Sequence, residues 1–462
     1  MTSLNMPASY QTAVARMYAL GHELADLPSH KFDLAHMRVL LRALEHPERR
    51  FPSILIAGTN GKGSTAATLA SILRASGLRT GLYTSPHLVR INERIRINGE
   101  AIADDKFALL HDMVDRTADG LIEDGELPWH PSFFEMLTAM AFEHFATSKL
   151  DIAVLEVGMG GRLDATNVVE PRLSVITDIS LDHEKFLGNT IAEIAREKAG
   201  IIRPEGVVVT LPQSRAANDV IGNAILDANA TAVSAAPYVP PVTPAAPSYV
   251  ATAKSDGRIF SRYALEVMGK HILVETPLVG RHQLRNVALA IAAAEELSRQ
   301  GFPLTAESIE QGIRQTRWPG RFQVLPAHDA TPEYVLDVAH NPAGAWALRS
   351  TLSACYEDRR LVFVFGAMRD KAVAEMCEIL FPLAECVIAT QADNPRSAAP
   401  QDIRDAGSRT QAEIELSSDV PSALDRAREI AAENGHSIIV ITGSIYVVGE
   451  AMRQLGVPPD GK

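Results

Sequence analysis

Along the chain, short unbroken apolar runs alternate with longer segments whose apolar residues recur at helical spacing. Over 53–84 the order is an apolar run (ILIA), a glycine-rich turn, an Ala/Leu/Ile helix ending near Gly77, and a second run (TGLYT). That order predicts a βαβ unit. IAVLEV, LSVITDI and GVVVTL repeat the theme downstream, separated by helical segments. Near-continuous apolar strands indicate a parallel sheet covered on both faces, so the predicted fold class is α/β, doubly wound and mostly parallel.

Five prolines (Pro237, Pro240, Pro241, Pro244 and Pro247) interrupt 234–248, which no central strand or helix can cross. This stretch reads as a surface excursion. FSRYALEVMGKHILVETPLV then alternates as antiparallel strands do, and LRNVALAIAAAEELSRQ is an Ala-rich helix. YVLDVA, LVFVFG, CVIAT and SIIVIT begin a second strand and helix series. The expected organisation is a first domain over 1–316, a hinge at 317–321 within RWPGRF, and a smaller Rossmann-like α/β domain over 322–462. No internal repeat is visible.

Charge narrows the partners. The 462 residues carry 44 Lys+Arg and 56 Asp+Glu, a net charge of 44 − 56 = −12. A general nucleic-acid binder needs a basic footprint, so no nucleic-acid partner is expected. Cys355, Cys377 and Cys386 are odd in number and lack CxxC spacing, which disfavours a zinc site or a disulfide framework. The early sequence has no basic segment followed by an apolar one, and SIIVITGSIYVVG is broken by Thr, Ser and Gly, so neither a membrane span nor a signal segment is expected. A cytoplasmic protein is the expectation.

The chemistry starts at GTNGKGST, 58–65, which follows a strand and opens a helix. In that position backbone NH groups and a lysine cradle polyphosphate as a P-loop does, and ATP is the expected ligand. The spacing is unusual. Only two residues separate Gly58 from Gly61, and Gly63 intervenes between Lys62 and Ser64. A plain glycine-rich turn is the weaker alternative, with three glycines surrounding one lysine.

GTNGKGST is joined, in order, by TSPHLVRINERIRING, LEVGMGGRLDATN, LDHEKFLG, REKAGI, GRHQLRN, WPGRF and DVAHNP, then by GAMRDK and TGSIYVVG. With these motifs the chain resembles the folylpolyglutamate synthase and dihydrofolate synthase family, relatives of the Mur cell-wall ligases. The resemblance implies an ATP-dependent ligase that adds L-glutamate to dihydropteroate, to the γ-carboxylate of reduced folates, or to both, through an acyl phosphate. It assigns phosphate and nucleotide binding to Asn60, Gly61, Lys62, Gly63, Ser64, Asn286, Arg321 and Asp337. Lys62, Lys198 and His340 are the expected catalytic residues, with Lys198 carbamylated and His340 near the incoming glutamate. Ser85, Glu156 and His183 match the family's metal positions, each at or just after the end of a predicted strand, where ligands of open α/β sheets bind. Mg²⁺ is the expected ion, the imidazole admits Mn²⁺, and a monovalent cation such as K⁺ has room in the scheme. A monomer is expected.

Each residue also has a plainer reading. Ser85 before Pro86 can start a turn, Glu156 can be an edge carboxylate, and His183 can be a satisfied core histidine. Lys198 lies in the last turn of a helix that Thr190 and Glu193 cap and Gly200 stops, where a lysine ordinarily complements the dipole. Gln283 and Asn286, at i and i+3, can point the same way or be surface amides. Arg321 can form a hinge salt bridge, Asp337 a strand-end turn, and His340 a helix N-cap.

SFFE (Ser132, Phe133, Phe134, Glu135) and LDA (Leu163, Asp164, Ala165) match segments that line the family's pteroate site. Phe134 would stack on a flat ring and Asp164 would accept ring NH groups, whereas paired phenylalanines alone read as helix core. KFDLAHMRVL occupies a third such segment but carries Ala35 and His36 where Gly and Leu are expected. Ala372 in RDKAV replaces an expected aspartate, at the cost of a helix cap or a local contact. Arg90, Arg94 and Arg96 form a basic group near Ser85, best read as a solvated turn and otherwise as an attractor of carboxylates. A Mur-type ligase acting on a UDP-sugar and a non-catalytic ATP- and folate-binding module are the competing functions.

Overall fold

The computed structural model describes residues 9–21, 34–241, 250–255, 258–328, 331–434 and 437–458. Pro244, Pro247 and the Lys31, Phe32 and Asp33 of KFDLAHMRVL lie outside the described residues. By contact the chain divides into one unit of Met1–His87, Ile91–Tyr238 and Asn286–Gly312, and a second of Leu88–Arg90, Val239–Arg285 and Ile313–Lys462. The hairpin region 258–276 thus groups with the second unit, whereas the sequence boundaries put everything before 317 in the first.

The first unit is built on eight strands: β1 Ser53–Ala57, β2 Thr80–Tyr83, β3 Ile95–Ile97, β4 Glu100–Ala101, β5 Ile152–Glu156, β6 Leu173–Ile176, β7 Val207–Thr210 and β8 Thr231–Ser234. Their order is β4-β3-β2-β5-β1-β6-β7-β8. Only the β2-β3-β4 edge is antiparallel. β1 is flanked by parallel β5 and β6, and all five of its residues are buried, which is why SILIA contains no alternation. The helix Lys62–Ala75 covers it with Leu69, Ile72 and Leu73 and with Ala66, Ala67 and Ala70, whose small side chains allow close approach. Chain order reverses beside β1, so the carboxyl ends of β1, β2, β5 and β6 border a topological switch point.

The second unit holds an antiparallel sheet and a mostly parallel one. In the former, β9 Val250–Ser255 and β11 Lys270–Thr276 flank β10 Arg258–Val267. In the latter, β12 Gln323–Leu325, β13 Tyr334–Leu336, β14 Leu361–Phe365, β15 Cys386–Ala389, β16 Ile414–Leu416 and β17 Ile438–Thr442 run in the order β12-β13-β17-β14-β15-β16. β14 and β17 are wholly buried at its centre, as their unbroken apolar sequences require. The Ala-rich segment forms the helix Arg281–Arg299, whose residues from Asn286 onward group with the first unit. Among the described residues, no helix is long and apolar enough to cross a membrane.

Candidate active site

The glycine loop leaves β1 and turns directly into the helix Lys62–Ala75. Its backbone is pinned from β6: the Thr59 and Asn60 NH groups donate to the Asp178 carbonyl at 2.9 and 3.2 Å, and Thr177 Oγ1 donates to the Asn60 carbonyl at 2.8 Å. Asn60 Nδ2 adds a bond to Ser180 Oγ at 2.9 Å. Two glycines are obligatory here. Gly61, the helix N-cap, has φ +88°, and a Cβ on it would fall 2.1 Å from Asn286 Oδ1. A Cβ on Gly58 would fall 1.8 Å from Thr177 Oγ1. Gly61 and Asn286 are therefore in immediate contact, and Asn286 and Gln283 are buried rather than surface amides. Gly63 and Ser64 are buried in the first helical turn, and Lys62 Nζ donates back to the Gly58 and Thr59 carbonyls at 3.2 and 3.3 Å. The arrangement presents a helix N-terminus and an ammonium group together, an electropositive cradle for phosphate.

Lys198 Nζ donates to the same Gly58 carbonyl, at 2.7 Å, from the helix Ile191–Ala199. That helix carries the expected Thr190/Glu193 capping box and ends at Gly200. Lys198 is not a surface complement to the helix dipole. It is 4% exposed, and burial, reinforced by the nearby charge of Lys62 and opposed by Asp182 and Asp164, pushes its amine down to about 7. Two lysines converging on one carbonyl favour a neutral amine on the more buried one.

At the ends of β2 and β5, the Ser85 NH donates to Glu156 Oε2 at 3.2 Å, so these two predicted metal positions are adjacent. Glu156 is 4% exposed. A serine and a carboxylate at adjoining strand ends suit Mg²⁺, which takes few protein oxygens and completes its shell with phosphate and water. His183 caps the short helix Glu184–Leu187 beyond β6, with Nε2 3.9 Å from Asp182 Oδ2. Among the described residues, no group of three or more His, Cys, Asp or Glu side chains is arranged to hold a metal.

The SFFE segment opens the helix Phe133–Thr147. Ser132 is its N-cap, and the Ser132 NH and hydroxyl donate to Glu135 Oε2 at 2.8 and 2.6 Å. Ser132 and Glu135 thus set the helix start, and Phe133 is buried. Phe134 is half-buried, tilted against Tyr83 with ring centroids 5.9 Å apart. A Cβ on Gly158 would fall 2.6 Å from Phe134 Cζ and 3.2 Å from Asp164 Oδ2, so Phe134 and Asp164 close on one glycine. Asp164 accepts from the Met159 NH, the Thr166 NH and Thr166 Oγ1 at 3.0, 3.0 and 2.6 Å, and its burial raises its carboxyl pKa. Its oxygens organise the loop that carries half-buried Leu163 and buried Ala165.

The reading of the arginines as a solvated turn needs correction. Arg90 is exposed, but Arg94 and Arg96 are 3% and 7% exposed. Arg94 Nε donates to His87 Nδ1 at 2.8 Å, and Arg96 Nε to the Glu93 carbonyl at 3.0 Å. The sequence reading missed His87, Thr177, Asp178 and Ser180. The signal for the last three was their position straight after a strand that flanks β1.

In the second unit Asp337 follows β13. Its carboxylate accepts from the Phe322 and Ala339 NH groups at 2.8 and 2.9 Å, and burial raises its pKa against the opposing charge of Arg321. Arg321 is half-buried and donates to the Gly320 carbonyl at 3.3 Å. His340 Nδ1 bonds the Val338 carbonyl at 2.8 Å, while the cap of the helix Pro342–Cys355 is Asn341, not His340. Ala372 is the exposed N-cap of the helix Val373–Leu380 and makes no side-chain cap bond.

Residues 132–294 match the Mur ligase middle domain, and residues 320–445 match the Mur ligase glutamate ligase domain. The dihydrofolate synthase/folylpolyglutamate synthase of Bacillus subtilis is 36% identical over 425 residues, covering 91% of this chain and 94% of that protein. The folylpolyglutamate synthase of Mycobacterium tuberculosis complexed with ADP and AMPPCP has a TM-score of 0.83 at 32% identity, covering 97% of this chain and 100% of that one. An Escherichia coli relative solved in complex with DHPP and ADP has a TM-score of 0.76 at 27% identity, covering 97% and 98%. Near-complete coverage by these relatives, with the two Mur ligase domain matches, shows that the chain belongs to the dihydrofolate synthase/folylpolyglutamate synthase family of Mur ligases, which are ATP-dependent ligases.

Proposed function

We propose that this protein joins the amine of L-glutamate to the carboxylate of dihydropteroate and to the γ-carboxylate of reduced folates, consuming ATP in the cytoplasm as a monomer. The observation that carries this reading is the loop after β1, where Lys62 and the helix N-terminus form a phosphate cradle beside buried Asn286. An acceptor carboxylate oxygen attacks the γ-phosphorus of ATP and ADP leaves. The glutamate amine then attacks the acyl carbon, phosphate departs, and the amine loses its proton.

In this reading Asn60, Gly61, Lys62, Gly63 and Ser64 hold the phosphates, and Asn286, Arg321 and Asp337 serve the nucleotide. Ser85 and Glu156, with His183, would hold Mg²⁺ or Mn²⁺, which supplies charge neutralisation between two approaching anions. K⁺ is a further cation to be tested. Carbamylation of Lys198 is supported by its amine lying near 7, because only the neutral amine adds CO₂. His340 donates Nδ1–H to the Val338 carbonyl, which fixes the orientation of its ring for a role near the incoming glutamate. Phe134 would meet the acceptor ring, with Ser132, Phe133, Glu135, Leu163, Asp164 and Ala165 shaping its surroundings.

The test supplies ATP, Mg²⁺ and L-glutamate with dihydropteroate or a reduced folate, and measures phosphate release and product mass. Turnover with both is expected. Turnover with the reduced folate alone leaves a polyglutamate synthase, and turnover with neither rejects ligation of these acceptors.

A further inference from the structure

Tyr18 stands on the helix Tyr10–Ala19, and no sequence motif marks it. It keeps 37% of its surface exposed. Its ring stacks on Phe133 with centroids 5.9 Å apart and planes 20° from parallel. Behind this pair lies buried Arg94, whose guanidinium carbon is 5.2 Å from the Phe133 centroid. Arg94 Nε donates to His87 Nδ1, which leaves the ring proton of neutral His87 on Nε2, 3.2 Å from the Tyr18 hydroxyl. The Tyr18 ring is therefore fixed at both ends: its face by Phe133, its hydroxyl by a hydrogen-bond chain rooted in a buried cation. Holding a partly exposed aromatic side chain this firmly removes rotamer freedom in advance and lowers the cost of ordering it on a ligand.

The two segments that fix Tyr18 adjoin residues that the proposed reaction assigns to the acceptor ring and to its carboxylate. Phe133 adjoins Phe134, which closes with Asp164 on Gly158, and His87 is two residues from Ser85, which touches Glu156. A substrate whose flat ring meets the first segment and whose carboxylate meets the second must pass an aromatic linker between them. We infer that Tyr18, stacked on Phe133 and pinned by His87, is an acceptor-binding residue that packs against the aryl group joining the ring to the reacting carboxylate. Offset stacking on a pre-oriented ring is the interaction it supplies. Arg94 and His87 act through Tyr18 and are positioning residues.

This rests on the acceptor proposed above, so the experiment reads binding separately from turnover. Dihydropteroate and ATP are titrated separately against full-length wild type, Tyr18→Ala and Tyr18→Phe, followed by fluorescence, with thermal melts of each protein. Tyr18→Ala should raise the dihydropteroate Kd about tenfold, the range for one lost aromatic pair. Tyr18→Phe, which keeps the stacking ring but loses the His87 bond, should weaken dihydropteroate binding by about threefold, less than Tyr18→Ala, and ATP binding should not change. An unchanged dihydropteroate Kd in Tyr18→Ala overturns the inference, as does an equal loss of ATP binding. Wild type that binds dihydropteroate through Tyr18 yet releases no phosphate supports this inference and rejects ligation of that acceptor. Wild type that binds neither dihydropteroate nor a reduced folate overturns both.

Discussion

Replacing Lys198 by methionine should stabilise the folded protein at neutral pH and abolish its activity. Lys198 is 4% exposed, and its amine falls from 10.5 to about 7, chiefly through burial and then through Lys62. A drop of roughly 3.5 units at about 1.36 kcal/mol each is a folding penalty of about 5 kcal/mol once the amine is protonated. The bond to the Gly58 carbonyl returns about 1–2 kcal/mol, leaving a net relief of about 3–4 kcal/mol for Lys198→Met. Because the folded-state value lies below the unfolded one, the unfolded chain binds more protons between pH 7 and 10.5. Wild-type stability should therefore rise with pH across that window, by about 1 kcal/mol per unit near pH 8, while the variant lacks this slope. Urea unfolding in CO₂-free buffer at pH 6.5, 8 and 9.5 measures both proteins. The advantage of the variant should be largest at pH 6.5 and shrink toward pH 9.5. A gap independent of pH would refute the argument that the lysine is held in a medium hostile to its charge. With ¹³C-bicarbonate at pH 8, wild type should show a carbamate resonance and the variant none.

Lys62→Ala should abolish turnover with a melting temperature no lower than that of wild type, since Lys62 is half-buried over its own loop, supports no core and repels Lys198; retained phosphate release would remove it from the phosphate cradle. Gly61→Ala places a Cβ 2.1 Å from Asn286 Oδ1 at φ +88°, so it should lose ATP binding and pay about 1–3 kcal/mol in backbone strain, read by calorimetry and nucleotide titration. Ala372→Asp restores a side-chain acceptor to an uncapped helix and should add about 1 kcal/mol in urea unfolding, with kinetics unchanged. Asp164→Ala unties three donors and should impair dihydropteroate glutamylation more than ATP binding, measured as separate KM values.

Residues whose role follows from backbone position were legible in the sequence. β1, the glycine turn and the helix Lys62–Ala75 could be read from ILIA, GTNGKGST and the Ala-rich run, because a central strand buried on both faces has no alternation to conceal it. The Thr190/Glu193 capping box was equally plain, since both of its hydrogen bonds are local. Residues whose partners come from distant segments were not legible. Asn286 contacts Gly61 across more than two hundred residues, and spacing within GRHQLRN carries no record of that. The same holds for Arg94 and Arg96: three arginines in a short stretch look solvated, and burial became visible only with His87 and Phe133 around Arg94. Ser132 and Glu135 show the reverse case. A motif matched to a substrate site is engaged in starting its own helix, which leaves half-buried Phe134 as the member of SFFE we propose to meet a ring.

The Gly58 carbonyl ties these elements together. It ends the central strand, accepts from both Lys62 and Lys198, and belongs to a glycine that admits no Cβ because Thr177 stands against it. Two ammonium groups on one carbonyl repel each other, and the buried one yields by approaching neutrality. Before phosphate arrives, then, the loop stores an unfavourable concentration of positive charge, and an incoming polyphosphate relieves part of it. ATP should accordingly raise the lysine pKa and bind with proton uptake near pH 7, as the anion favours the charged form of Lys198. If Lys198 is carbamylated this uptake is lost, because the nitrogen is no longer an amine that titrates near pH 7. Calorimetric titration of ATP in two buffers of different ionisation enthalpy, with and without bicarbonate, separates the cases. Proton uptake should appear in CO₂-free buffer and vanish with bicarbonate, while uptake unaffected by bicarbonate would count against carbamate formation at Lys198.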